Sequence, residues 1–108
     1  MTIQSSNSYS IDPQTAQKFY INGCWSSPAI PASLPVVNPA TEEVVAQVAQ
    51  GSAEDVDRAV AAARAAFPGW SATCAESRAL VLGKIHELIL ERKEVLAQAL
   101  SLEMGAAI

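Results

Sequence analysis

Ser52-Ala-Glu-Asp-Val-Asp-Arg-Ala-Val-Ala-Ala-Ala-Arg-Ala-Ala-Phe-Pro-Gly-Trp70 is the stretch on which the reading of this chain turns. It has the signature of one amphipathic helix with both ends marked. Ser52 suits the N-cap, because its hydroxyl can accept from first-turn amides that have no helical partner. Glu54, Asp55 and Asp57 place negative charge at the positive pole of the helix dipole. Val56, Val60, Ala63 and Phe67 recur at helical spacing and form one apolar stripe. Pro68-Gly69 is expected to stop the helix, since proline brings no amide and glycine permits a reversal. The many alanines let a neighbouring element approach closely.

Upstream, Lys18-Phe-Tyr-Ile-Asn-Gly-Cys-Trp25 predicts a hairpin. A two-residue Asn22-Gly23 turn flanked by aromatic and β-branched residues meets the demand of a type I′ turn for positive φ at both central positions. A loop containing Pro28, Pro31 and Pro35 follows, then a short strand at Val36-Val37 ended by Asn38-Pro39, and another over Glu43 to Val48. Met1 to Gln17 is rich in Ser, Thr, Asn and Gln without periodicity and is expected to be a flexible leader. Downstream, Thr73-Cys74-Ala75-Glu76 has the spacing of a capping box. Leu82, Ile85 and Ile89, widened by Val81 and Leu88, form the stripe of a second helix, with Arg92-Lys93 at its negative pole. A third helix is expected over Glu94 to Met104, carrying Leu96, Ala99 and Leu100, with Gly105 as its cap. The final Ala106-Ala107-Ile108 has no polar tail or closing element, so the chain reads as cut there.

With 108 residues, half of them hydrophobic and 17% charged, the chain is globular in composition and one domain at most. The net charge is −4 with acids and bases interspersed, and no Lys/Arg patch suits nucleic acid. No apolar run is long enough to span a bilayer, and no signal peptide precedes the first cation, Lys18. The cytoplasm is the expected compartment. Cys24 and Cys74 are too few and too separate for a disulfide framework.

Five groups of residues, in order and at consistent spacing, resemble the N-terminal part of the aldehyde dehydrogenase family. They are Phe19 to Trp25, Val36 to Val44, Ala53 to Val60, Ala62 to Trp70 with Ser77-Arg78 after it, and Leu102-Glu-Met-Gly105. Two positions depart from the family pattern. Glu42 stands where a glycine usually follows Asn-Pro-Ala-Thr, and Ala106 stands where lysine often follows Glu-Met-Gly. The resemblance implies an α/β parent fold, of which residues 18–108 would supply a β-hairpin, short strands and about three amphipathic helices. These would open a Rossmann-like cofactor-binding domain. It further implies an enzyme that oxidises an aldehyde to an acid with NAD or NADP through a cysteine thiohemiacetal. The nucleophile, the general base and the cofactor cradle would all lie C-terminal to Ile108. No catalytic or cofactor-binding residue is therefore expected in this chain, and its partners would be the remainder of the polypeptide and further copies in a homo-oligomer. In some members a monovalent cation sits between a carbonyl and a carboxylate at positions matching Val37 and Glu103, and oxygen ligands would suit such an ion.

The remaining chemistry-bearing residues read as structural. Cys74 near a helix start and Cys24 near the turn fit small half-buried hydrophobes better than nucleophiles. His86 has no second ligand at helical spacing and fits a helix surface. The scattered glycines form no Gly-x-Gly-x-x-Gly after a strand. Trp25, Trp70 and Phe67 fit a core. The reading that competes with an enzyme fragment is a free-standing helical protein-interaction module.

Overall fold

The computed structural model describes residues 10–107. Its elements are α1 (Pro13–Ala16), β1 (Phe19–Ile21), β2 (Cys24–Ser26), β3 (Ser33–Val37), β4 (Val44–Ala49), α2 (Ala53–Ser71), α3 (Ala75–Glu91) and α4 (Lys93–Met104). After the one-turn α1, short antiparallel strands are followed by three longer helices, which is the expected α/β arrangement.

Residues 1–9 of the expected leader lie outside the described residues. In its remainder the Asp12 carboxylate accepts from the Gln14 amide and caps the one-turn α1. Gln17 Nε2 then donates to the Gln47 carbonyl of β4 at 2.5 Å.

β1 and β2 pair antiparallel with Phe19 opposite Ser26 and Ile21 opposite Cys24. Asn22 and Gly23 have φ of 53° and 75°, the left-handed pair that the tight turn requires. β3 and β4 form a second, separate two-stranded ladder, with an irregularity at Val36/Val37. Pro35 belongs to β3 opposite Gln47 rather than to the preceding loop. In a two-stranded sheet each strand has a free edge, where a missing amide breaks no ladder bond. The connecting turn is closed by Asn38 N–H donating to the Glu43 carbonyl and Glu42 N–H to the Asn38 carbonyl, at 2.9 and 2.8 Å. Glu42 has φ of 60°, a left-handed conformation that glycine adopts at no cost. Glu42, which departs from the resembled pattern, thus stands in a conformation that favours glycine.

α2 does not stop at Pro68 but continues to Ser71. Proline's ring opposes the turn before it and deletes one bond, while its own φ is helical, so the following residues can stay in the helix. Hydroxyls complete that last turn: Ser71 Oγ donates to the Pro68 carbonyl at 3.1 Å and Thr73 Oγ1 to the Gly69 carbonyl at 3.2 Å. The extension changes the role of Thr73. The expected capping box is absent, because its hydroxyl is turned back to α2 and Cys74 takes the N-cap of α3 without a side-chain cap bond. α3 and α4 are divided only at Arg92 (φ −103°, ψ 14°), and α4 ends at Gly105 with φ of 73°. A Cβ at Gly105 would lie 2.8 Å from Pro39 Cγ, so glycine here also permits a close approach to the β3–β4 turn.

No apolar side chain among the described residues is buried. Phe67, Trp25 and Trp70, expected in a core, are 67%, 53% and 48% exposed. The helical stripes are in place, but no element among the described residues covers them.

Candidate functional site

The most closely organised point of the structure is Asp55, which is 4% exposed. It occupies the third position of α2, where a carboxylate can reach back to the N-cap amide while the Ser52 hydroxyl reaches forward. Asp55 Oδ2 accepts from Ser52 N and Ser52 Oγ, both at 2.9 Å, and Ser52 Oγ accepts from Asp55 N at 3.4 Å. Asp55 Oδ1 faces the other way. It accepts from the Ala29 amide at 2.9 Å and from Arg58 Nη2, which also donates to the Ser27 carbonyl at 3.2 Å.

These donors, the Ser52 amide foremost and the Ala29 amide next, hold the Asp55 carboxyl well below the usual carboxylate range. Burial pushes the other way and is outweighed. Sequence reasoning gave Asp55 only a dipole role. The Ser52-x-x-Asp55 spacing contained the capping-box signal, but nothing near it in sequence pointed to Ala29.

The residues with nucleophilic or ligating chemistry do not assemble. Cys24 and Cys74 are exposed rather than half-buried. Cys74 Sγ lies 3.2 Å from Ser77 Oγ, and that hydroxyl lowers the thiol's pKa. His86 is exposed on α3. Among the described residues no group of three His, Cys, Asp or Glu side chains could hold a metal ion. Val37 closes β3 and is 44% exposed, while Glu103 is exposed in the last turn of α4. The Gly105–Pro39 approach brings the end of α4 to the turn that follows Val37.

A groove runs between the first hairpin and α2, lined by Tyr20, Ile21, Asn22 and Gly23 on one side and the alanines of α2 on the other. Tyr20 and Asn22 are its only polar side chains among the described residues, and the rest of the lining is apolar and small, which suits a packing group. Tyr20 and Trp25 stack edge-to-face beside it, with centroids 5.2 Å apart.

A family model described as "Aldehyde dehydrogenase family" matches residues 25–108. Malonate-semialdehyde dehydrogenase 1 of Geobacillus thermodenitrificans is 46% identical over 88 residues, covering 82% of this chain and 18% of that protein. The 3-succinoylsemialdehyde-pyridine dehydrogenase of a Pseudomonas species is 40% identical over 90 residues, covering 83% of this chain and 19% of its own length. Among solved structures, a mutant aldehyde dehydrogenase C of Pseudomonas syringae in complex with NAD+ and octanal superposes with a TM-score of 0.91 at 74% identity. That match covers 93% of this chain and 21% of the other. The chain thus spans about one fifth of the length of the proteins it matches.

Proposed function

The chain belongs to the aldehyde dehydrogenase family, and we propose that it works as the N-terminal part of an NAD-dependent enzyme that oxidises an aldehyde to a carboxylic acid. The observation that carries this reading is the superposition at 74% identity on the P. syringae enzyme. The bound NAD+ in that structure, and in a Mycobacterium tuberculosis aldehyde dehydrogenase 40% identical to this chain, favours NAD over NADP. The octanal in the former favours an unsubstituted alkyl aldehyde over the functionalised semialdehydes of relatives at 40–46% identity.

In this reading residues 18–108 open the cofactor-binding domain and do none of the chemistry. The cysteine that forms the thiohemiacetal, the base that activates water and the cofactor cradle come from the rest of the polypeptide, which also covers the apolar faces of α2, α3 and α4. Val37 and Glu103 would supply a carbonyl and a carboxylate to a monovalent cation, a pairing helped by the approach of Gly105 to Pro39. The assembled enzyme would be a cytoplasmic homo-oligomer.

The test replaces the matching first fifth of P. syringae aldehyde dehydrogenase C with this chain. NAD-dependent oxidation of octanal within about tenfold of the parent's kcat/KM is expected. A chimera that is insoluble, or folded but inert, would overturn the reading.

A further inference from the structure

The two hairpins share no ladder, so sheet hydrogen bonding does not set their relative placement. What joins them is the segment 27–32, Ser-Pro-Ala-Ile-Pro-Ala, between the end of β2 and the start of β3. Its prolines at 28 and 31 remove two of its amides, leaving few bonds by which it can be held. One is at its far end, where Gln50 N–H donates to the Ala32 carbonyl at 2.9 Å. The others are at its near end, and both converge on α2: Ala29 N–H on Asp55 and the Ser27 carbonyl on Arg58.

We infer that Asp55 is a positioning residue, with Arg58 as its assistant, that seats the β1–β2 hairpin against α2 by strapping residues 27–32 to the helix N-terminus. The carboxylate has two oxygens with separate duties, Oδ2 for the helix cap and Oδ1 for the strap. A capping residue alone would need only the first. The second reaches 26 positions back along the chain. Because β2 ends one residue before the strap begins, fixing Ala29 also fixes how the Tyr20–Gly23 turn faces the alanines of α2 across the groove.

The division of duties lets the strap be opened without uncapping the helix. Asp55→Asn removes the negative charge that both strap donors, Ala29 N–H and Arg58 Nη2, point at, while the Ser52 hydroxyl still accepts from the residue-55 amide and caps the first turn. In Ser52→Ala the hydroxyl cap is lost, while the residue-52 amide still donates to Oδ2 and the bond to Ala29 is kept. Hydrogen exchange followed by mass spectrometry on the chimera reads both regions at once, independently of whether the chimera oxidises aldehydes. Asp55→Asn should speed exchange over residues 19–32 by about tenfold or more, the consequence of losing a bond to a charged acceptor, and leave the body of α2 protected. Arg58→Ala, at an exposed position that does not threaten folding, should act in the same direction more weakly. Ser52→Ala should loosen the first turn of α2 and leave the strap closed. Unchanged exchange over 19–32 in Asp55→Asn would overturn the inference. So would a strap freed equally by Ser52→Ala, which would reduce Asp55 to a helix cap.

Discussion

At the start of α2 a buried carboxylate is saturated by a local amide, a hydroxyl, a guanidinium and an amide from a distant loop. At the start of α3 Cys74 occupies the N-cap with no side-chain bond to the helix. The contrast extends along both elements. α2 is anchored to the strap by polar bonds although Val56, Val60 and Phe67 of its stripe stay exposed, and α3 and α4 carry Leu80, Leu82, Ile85, Ile89, Leu96 and Leu100 in the open. Polar anchoring is local and can be completed by a few residues. Apolar burial needs area, and a contiguous exposed apolar surface marks a face made for a partner. The first half of the molecule thus carries polar anchors between distant segments, while apolar area is left bare in both halves.

Removing the partner should therefore have the largest effect. The 108-residue chain alone is expected to be partly helical, to self-associate through its apolar faces and free strand edges, and to melt without a sharp transition. It should reduce no NAD+, and the C-terminal portion of the P. syringae enzyme supplied in trans should raise its Tm. Circular dichroism melts with light scattering check this. A monodisperse monomer with a sharp cooperative melt would erase the contrast between polar anchoring and apolar burial and revive the interaction-module reading.

A smaller effect separates the two helix starts. Ser52→Ala in the chimera should cost about 1 kcal/mol, the usual loss when a capping hydroxyl is removed. Thr73→Ala should cost less than about 0.5 kcal/mol, because its exposed hydroxyl bonds a last-turn carbonyl of α2 and caps nothing in α3. Chemical denaturation of both variants gives the comparison directly. Equal losses would show that Thr73 caps α3 after all.

What could be read in advance divides along the same line. The Asn22-Gly23 turn, the Ser52 cap and the Gly105 stop were legible because each is decided by backbone sterics or by groups within a turn of one another. Pro68 misled because the rule that proline breaks helices concerns the turn before it, and here the residues after it remained helical. Thr73 followed from that error, since only a helix reaching Ser71 puts the Gly69 carbonyl within its reach. Asp55 was half legible: its cap was in the local spacing, but its strap partner is a backbone amide, and backbone amides carry no sequence signature. The tryptophans and Phe67 were identifiable as core-type residues, but no rule for residue types says whether the covering element lies within these residues.

The smallest effect concerns the turn between β3 and β4, in the first half of the molecule. Glu42 is held at φ 60° by its own amide bonded to the Asn38 carbonyl and by the Asn38 amide bonded to its neighbour Glu43. For a residue with a Cβ this conformation costs about 1 kcal/mol or slightly more. Glu42→Gly removes that cost but adds chain entropy to the unfolded state, which takes back up to about 1 kcal/mol. The two terms oppose each other, so a net gain of only a few tenths of a kcal/mol is expected, seen as a small rise in the chimera's denaturation midpoint with unchanged slope. Glu42→Ala separates the terms, since it keeps the Cβ and removes only the carboxylate, and it should give no gain. If Glu42→Ala stabilises as much as Glu42→Gly, the side-chain charge rather than the backbone is the source of strain. If Glu42→Gly destabilises while Glu42→Ala is neutral, the unfolded-state entropy exceeds the relieved strain, and the left-handed backbone costs less here than a residue with a Cβ usually pays.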